Sequence, residues 1–433
     1  MTFALLTDWK DAPTETLPED QRLLDHAQAR IDALAEQYDH GGVRRFFLLH
    51  RRRLWNPSEG AWMGWERKRG KLTELNKLLR GHAGTSFVPT GPTPPEGIRY
   101  VVTLDSDTRL PRDTVSGLAG KMAHPVNRPV ARADGVVIRG HAIMQPRVTP
   151  SLTTGAEASV FQRIFSANRG LDPYVFTVSD LYQDLLGEGS FTGKGIYDVD
   201  AFEAAIDDRL AENAILSHDL LEGSLARAAL VTDVEVVEDF PIRYATEASR
   251  QHRWTRGDWQ LLPMIVAPGN GLSGLARFKM IDNLRRALVT PAWVGASIAG
   301  WLLLPGEWAL GWQAALIGLA ALVHILQVDL RIFSPQYGVS WDYHLRHVLR
   351  DAAAYVTQLG LRLATAAHRA WASLDAISRT LWRMTVSRQH LLEWTTARDA
   401  GRAGGGPRAE YRRMIASPLI GTAAILATAV LNP

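Results

Sequence analysis

The chain has 433 residues, no cysteine and a formal net charge of +3 at pH 7. That length holds two or three units with a sizeable core, and the lack of thiols excludes a disulfide scaffold and any thiolate metal or nucleophile chemistry. So small and evenly spread a charge gives no footing for a nucleic-acid partner.

In chain order, Phe3-Ala4-Leu5-Leu6-Thr7 reads as a strand ending on Asp8, with no secretory leader before it. Residues 1–270 carry the short apolar runs and helical patterns of an α/β unit. Strands are expected at Val101–Leu104, Val136–Ile138 and Val234–Val237, and helices at Ala201–Leu210 and His218–Ala229. The first of these strands runs into Asp105-Ser106-Asp107. Two carboxylates one residue apart, just past a buried strand end, can hold a divalent cation (Mg²⁺ or Mn²⁺) that neutralises the pyrophosphate of a nucleotide-sugar. Taken alone, such a pair is more often a turn whose aspartates cap backbone N–H groups.

Gly187–Gly195 is glycine-rich enough to let backbone approach a ligand, and Lys194 offers a cation for phosphate or a sugar hydroxyl. It lacks the spacing of a nucleotide-binding P-loop, and a flexible turn is the alternative. Asp219 opens a predicted helix, where it either caps the end or serves as the general base of an inverting transfer. Glu222 one turn on and His218 beside it are placed to tune that carboxylate. In Ser249–Trp259, helical spacing puts Arg250 and Trp254 on one face with Arg253 beside them. They supply forks for pyrophosphate and stacking faces for sugar rings, or else the anchor of an interfacial helix.

Beyond residue 270 the composition shifts. Residues 271–286 read as an amphipathic interfacial segment. Residues 287–328 read as two transmembrane helices, Ala287–Leu304 and Trp308–Val328. Residues 329–400 read as amphipathic helices, and 401–433 as a linker and a truncated third span, Ile415–Leu431. Arg277, Lys279, Arg285 and Arg286 before the first span, and Arg331, Arg346 and Arg350 after the second, follow the positive-inside pattern. The expectation is a cytoplasmic domain with membrane lipid as a partner and Trp293, Trp301, Trp308 and Trp312 as an interfacial belt.

The order Asp, Asp-x-Asp, glycine-rich loop, x-x-Asp, Arg-x-x-Arg-Trp resembles the processive family-2-like glycosyltransferases, with departures. Ser217-His218-Asp219 replaces Thr-Glu-Asp, and Arg250 replaces Gln. Phe46–Pro57, Trp62–Lys71, Gly193–Asp200, Arg250–Gln260 and Ser387–Thr396 are similar to the glycosyltransferase domain of cyclic β-1,2-glucan synthases. The resemblance implies a GT-A fold, a Rossmann-like mixed sheet with flanking helices, here lacking its first strand. It implies UDP-glucose as donor, a divalent cation, a β-glucan acceptor and a multi-pass enzyme of the bacterial inner membrane. Carried over, Asp105 and Asp107 sit at the metal and diphosphate, and Asp219 is the base. Asp8, Lys194, Arg250 and Arg253 lie on the donor side, Asp8 at the uridine, and Trp254 and His218 on the acceptor side. Tyr174, Tyr182 and Tyr197 are candidates for a priming tyrosine. The chain then reads as a piece of a split or larger synthase, or as a non-catalytic remnant that binds UDP-sugar or glucan. A phosphorylase or hydrolase does not account for the diphosphate clamp.

Overall fold

A run of apolar residues builds β1 (Phe3–Asp8), which pairs in parallel with β2 (Phe46–Arg51) from Phe3 opposite Phe46 to Asp8 opposite Arg51. Parallel neighbours need a crossover, and α1 (Asp20–Tyr38) supplies it. A short hairpin, β3 (Leu54–Asn56) with β4 (Ala61–Met63), leads into α2 (Arg67–Leu79). The computed structural model describes all residues except 40, 152–157, 166–179, 207–208, 333–339, 395–405 and 433, so Tyr174, Thr395, Thr396 and residues 401–405 of the expected linker lie outside the described residues.

The main sheet contains β5 (Tyr100–Thr103), β6 (Thr108–Arg109), β7 (Ile143–Pro150), β8 (Gly195–Asp198) and β9 (Ala228–Glu238), in the order β5-β8-β7-β9-β6. Only β7 and β9 run parallel. Side chains alternate between faces. Met144 and Ile196 meet Leu118 and Met122 of α3 (Thr114–Ala123). Their neighbours Ile143 and Tyr197 join Phe202 of α4 (Val199–Ile206) and Leu221 and Leu225 of α5 (Asp219–Leu225). The mixed α/β architecture is as expected. The helix expected over His218–Ala229 stops at Leu225, because Ala228 already belongs to β9.

The C-terminal part is helical: α6 (Tyr244–Gln260), α7 (Gly274–Leu303), α8 (Gly306–Ile332), α9 (Trp341–Ala364), α10 (Ala366–Trp382) and α11 (Ala416–Leu431). α10 packs against both α6 and α7. Tyr244 and His368 meet at 2.7 Å, and His252 and Asp375 at 2.9 Å.

The expected membrane spans are corrected. Among the described residues no helix is long and apolar enough to cross a membrane. The apolar part of α7 runs only from Ala287 to Leu303, about 25 Å at ~1.5 Å per residue against a hydrocarbon core of ~30 Å. α11 has 16 residues, roughly 24 Å by the same rise. The backbone of α8 is helical over the second expected span, but the side chains of residues 323–332 lie outside the described residues. α7 is also continuous across the expected boundary at residues 286 and 287.

Two of the basic residues read as a topology signal are internal ties instead. Lys279 is 1% exposed and donates to Glu188 Oε1 at 3.0 Å and to the Gly189 carbonyl at 2.8 Å. Arg277 donates to the carbonyl of Ala267 at 2.7 Å. The tryptophans lock α7 to α8: Trp293 donates to the Leu316 carbonyl at 3.1 Å and Trp312 to that of Ala296 at 2.9 Å. A Cβ on Gly300 would lie 2.2 Å from the Trp312 ring, so this close approach needs glycine.

Candidate active site

The site grows from the C-terminal end of β5. Thr103 is buried, and the chain then turns outward so that Asp105 is half-buried and Asp107 exposed. Asp105 accepts from Lys68 Nζ at 2.6 Å and lies 3.4 Å from Lys194 Nζ. Burial works to raise the Asp105 carboxyl, but the two ammonium groups outweigh it and hold it below the ordinary aspartate value. Lys194 in turn lies 2.7 Å from Glu238 at the end of β9, and Glu238 accepts from Thr108 Oγ1 at 2.9 Å. Burial would strip Lys194 of its proton, but Glu238 and Asp105 keep it charged.

Asp105, Asp107 and Glu238 each present a carboxylate oxygen, all within 4.8 Å of one another. Hard oxygen donors at this spacing suit Mg²⁺ or Mn²⁺, so the residues fit the expected cation. Glu238 was not legible as their companion, being 131 residues downstream of Asp107 at the end of a different strand.

Asp219 opens α5 directly behind the glycine-rich loop. A Cβ on Gly193, at φ +82°, would stand 2.9 Å from Asp219 Oδ1, so glycine is required there on both backbone and steric grounds. The Gly193 carbonyl also accepts from Lys68 Nζ at 2.8 Å. Asp105 and Asp219 therefore face each other across Gly193 and Lys68. Burial pushes the Asp219 carboxyl above its ordinary value, with His218 and Lys68 opposing. Its side chain still keeps 32% of its surface accessible, enough to meet a hydroxyl.

His218 differs: it is 5% exposed, its Nδ1 lies 2.8 Å from Glu222 Oε1, and it lines the buried side of Asp219 at 3.9 Å. Burial opposes its proton, and Glu222 overcomes that. The structure thus places His218 behind the aspartate rather than on an open acceptor surface.

α6 packs beside Asp219, so closely that a Cβ on Gly257 would stand 2.5 Å from Ser217 Cβ. Arg250 pairs with Glu247 and stacks over Trp254 with its Cζ 4.8 Å from the ring centroid, as the i, i+4 spacing expects. Arg253 is oriented differently. Burial and the neighbouring Arg250 and Arg256 lower its pKa, while both Asp105 and Asp219 act on it favourably, which puts it within their field.

Over Arg253 lies Trp394, 4.6 Å from guanidinium carbon to ring centroid, at the end of a strap that crosses the site. The strap is pinned at every residue. His390 N donates to the Ser58 carbonyl at 3.0 Å, and the Leu391 carbonyl accepts from Gln260 at 2.8 Å. Leu392 N donates to Glu59 at 2.7 Å, its carbonyl accepts from Arg67 at 3.0 Å, and Glu393 meets Arg256 at 3.1 Å. The Ser387–Thr396 motif held the signal for the strap, but nothing local told that it would return to α6.

Asp8 lies at the end of β1, where Arg51 Nε is 2.6 Å and Lys71 Nζ 3.1 Å from its carboxylate. Burial is outweighed by those two cations, and Asp8 stays below the ordinary value. Of the tyrosines, Tyr197 is 2% exposed and donates to Asn76 at 2.8 Å, which removes it as an attachment point; Tyr182 is half-buried against Lys279.

No family model matches the chain. It is 55% identical over 430 residues to the cyclic beta-(1,2)-glucan synthase NdvB of Rhizobium meliloti (strain 1021). The match covers 99% of this chain and 15% of that relative's length.

Proposed function

The chain matches one stretch, 15% of the length, of a cyclic β-(1,2)-glucan synthase, and from that premise we propose that it belongs with these synthases and is the part that transfers glucose from UDP-glucose to a growing β-1,2-glucan. The observation that carries this reading is the pairing of Asp105 and Asp219 across Gly193 and Lys68. It supports a reading in which Asp105 serves the diphosphate and Asp219, with its raised pKa, serves the acceptor. The mixed sheet with Asp-x-Asp past a strand end supports a GT-A reading of the fold.

Asp219 Oδ accepts the proton of the acceptor's 2-hydroxyl as that oxygen attacks the anomeric carbon. The new glycosidic C–O bond forms while the bond from the anomeric carbon to the phosphate oxygen breaks, and UDP departs with the electron pair. Attack opposite the leaving group turns an α donor into a β product. Lys194 and Arg253 offer positive charge to the diphosphate as its charge grows. A divalent ion held by Asp105, Asp107 and Glu238 would supply further charge neutralisation there. Trp254 offers its ring to an acceptor sugar.

Asp219→Asn tests the reading in the 433-residue chain. Glucose transfer should fall by at least about 10³-fold while UDP affinity changes little, by analogy with loss of an essential catalytic group. Loss of UDP binding together with turnover would make Asp219 structural. A binding-only reading is the alternative. UDP bound at the same affinity with no transfer by the unsubstituted chain would select it.

We further place this stretch at a membrane surface. Trp308, Leu310 and Leu319 on α8 and Leu419, Ile425 and Leu426 on α11 are exposed apolar residues.

A further inference from the structure

We propose that Lys68 is a second, protein-borne cation of the donor site, sharing the Asp105 carboxylate with the divalent ion and lending its charge to the leaving diphosphate. The inference rests on the glycosyltransferase reading above. Three features of the chain carry it.

The first is how Lys68 is aimed. Glu66 and Arg67, immediately before it, both adopt left-handed backbone, at φ 50° and 54°. Such a conformation is uncommon outside glycine and persists only where the surroundings enforce it. Arg51, whose side chain is wholly buried, enforces it here by donating to the carbonyls of Trp65 at 2.9 Å and Arg67 at 3.0 Å. Arg67 is itself clamped by both oxygens of Asp11 at 2.7 Å. The turn starts α2 so that Lys68 and Lys71, one helical turn apart, reach Asp105 and Asp8 respectively.

The second is what Lys68 touches. Its ammonium bridges Asp105 Oδ1 and the Gly193 carbonyl, and its charge acts on Asp219. It therefore stands where the donor and acceptor halves of the reaction meet.

The third is its exposure relative to Lys194. Lys194 is held by Glu238 and only 13% accessible, whereas the Lys68 and Asp105 side chains are 26% and 37% accessible. The more exposed ammonium is the one that a phosphate arriving from solvent meets first. Because Lys68 and a divalent ion would draw on the same carboxylate at close range, their like charges oppose each other.

Lys68→Gln, with Lys68→Arg as the charge-conserving control, tests this by two affinities read separately. Mn²⁺ binding to the nucleotide-free 433-residue chain is followed by electron paramagnetic resonance. Binding of UDP without metal is followed by calorimetry. The expectation for Lys68→Gln is opposite signs: Mn²⁺ held about 3- to 30-fold tighter and UDP about 5- to 10-fold weaker, from loss of one charge at this range in a partly exposed site. Lys68→Arg should restore UDP binding. A residue with a merely structural role would weaken both ligands together and lower the melting temperature. Unchanged Mn²⁺ affinity, or a loss of both affinities, overturns the proposal alone. An unsubstituted chain that takes up neither Mn²⁺ nor UDP overturns the donor-site reading and this proposal with it.

Discussion

At the scale of single residues, the chemistry of Asp219 sets a pH dependence with a definite sign. The group must be ionised to accept a proton, and burial raises its pKa above 3.8. Activity therefore rises with pH along a limb on the alkaline side of an ordinary aspartate's titration. A pH profile of kcat/KM checks this; a limb at or below the ordinary value would remove Asp219 from the role. Stability has its own acid-sensitive residue. His50 is 3% exposed, touches Thr7 at 2.7 Å and the edge of Trp9, and burial lowers its pKa from 6.5 to about 4. Between those values the unfolded chain binds the proton and the folded chain does not, so stability falls as the pH drops from 6.5 toward about 4. Urea midpoints across that range should show the decline, and His50→Gln should flatten it. Asp105, Asp107, Asp219 and Arg253 were legible in the sequence because the chemistry needs those residue types in short motifs. Lys68, Glu238 and Trp394 were not, since each reaches the site from a different element with no local mark of its destination.

At the scale of elements, α2 shows how backbone geometry becomes site geometry. Gly70 lies in its first turn, and a Cβ there would fall 2.1 Å from the Trp65 carbonyl and 2.7 Å from the Trp65 ring. Gly70→Ala would force that left-handed turn open, a backbone displacement that costs about 2–3 kcal/mol or more when the neighbour is main chain. Thermal unfolding should show the loss, and because the same turn aims Lys68, UDP affinity should fall with it. The strands were readable from apolar runs, in β5 and in the valines of β9 between Val234 and Val237. The long helices were readable as helices, but their relation to a membrane was misjudged. The apolar stretch after Arg286 counts as a span only if Leu304 and the turn beyond it remain helical, and α7 ends at Leu303. Nor could the sequence tell that Lys279, one of its apparent flanking charges, faces inward onto the glycine-rich loop.

At the scale of the whole molecule, the exposed apolar residues of α8 and α11 predict association with lipid bilayers. The chain should sediment with vesicles, and Leu419→Ser combined with Leu426→Ser should weaken that sedimentation while leaving UDP affinity unchanged. An unaltered vesicle-bound fraction would assign α11 elsewhere. The strap from His390 to Trp394 has a different kind of consequence, one of timing. Its hydrogen bond from Leu392 to Glu59 joins residues 333 positions apart. A ribosome adding ~5–20 residues per second needs on the order of 17–67 s to pass from one to the other. Throughout that interval the nascent chain carries Glu59 buried in nothing and, once α6 has emerged, an Arg256 still waiting for its carboxylate. The last-made wall of the site thus sets the earliest moment of competence.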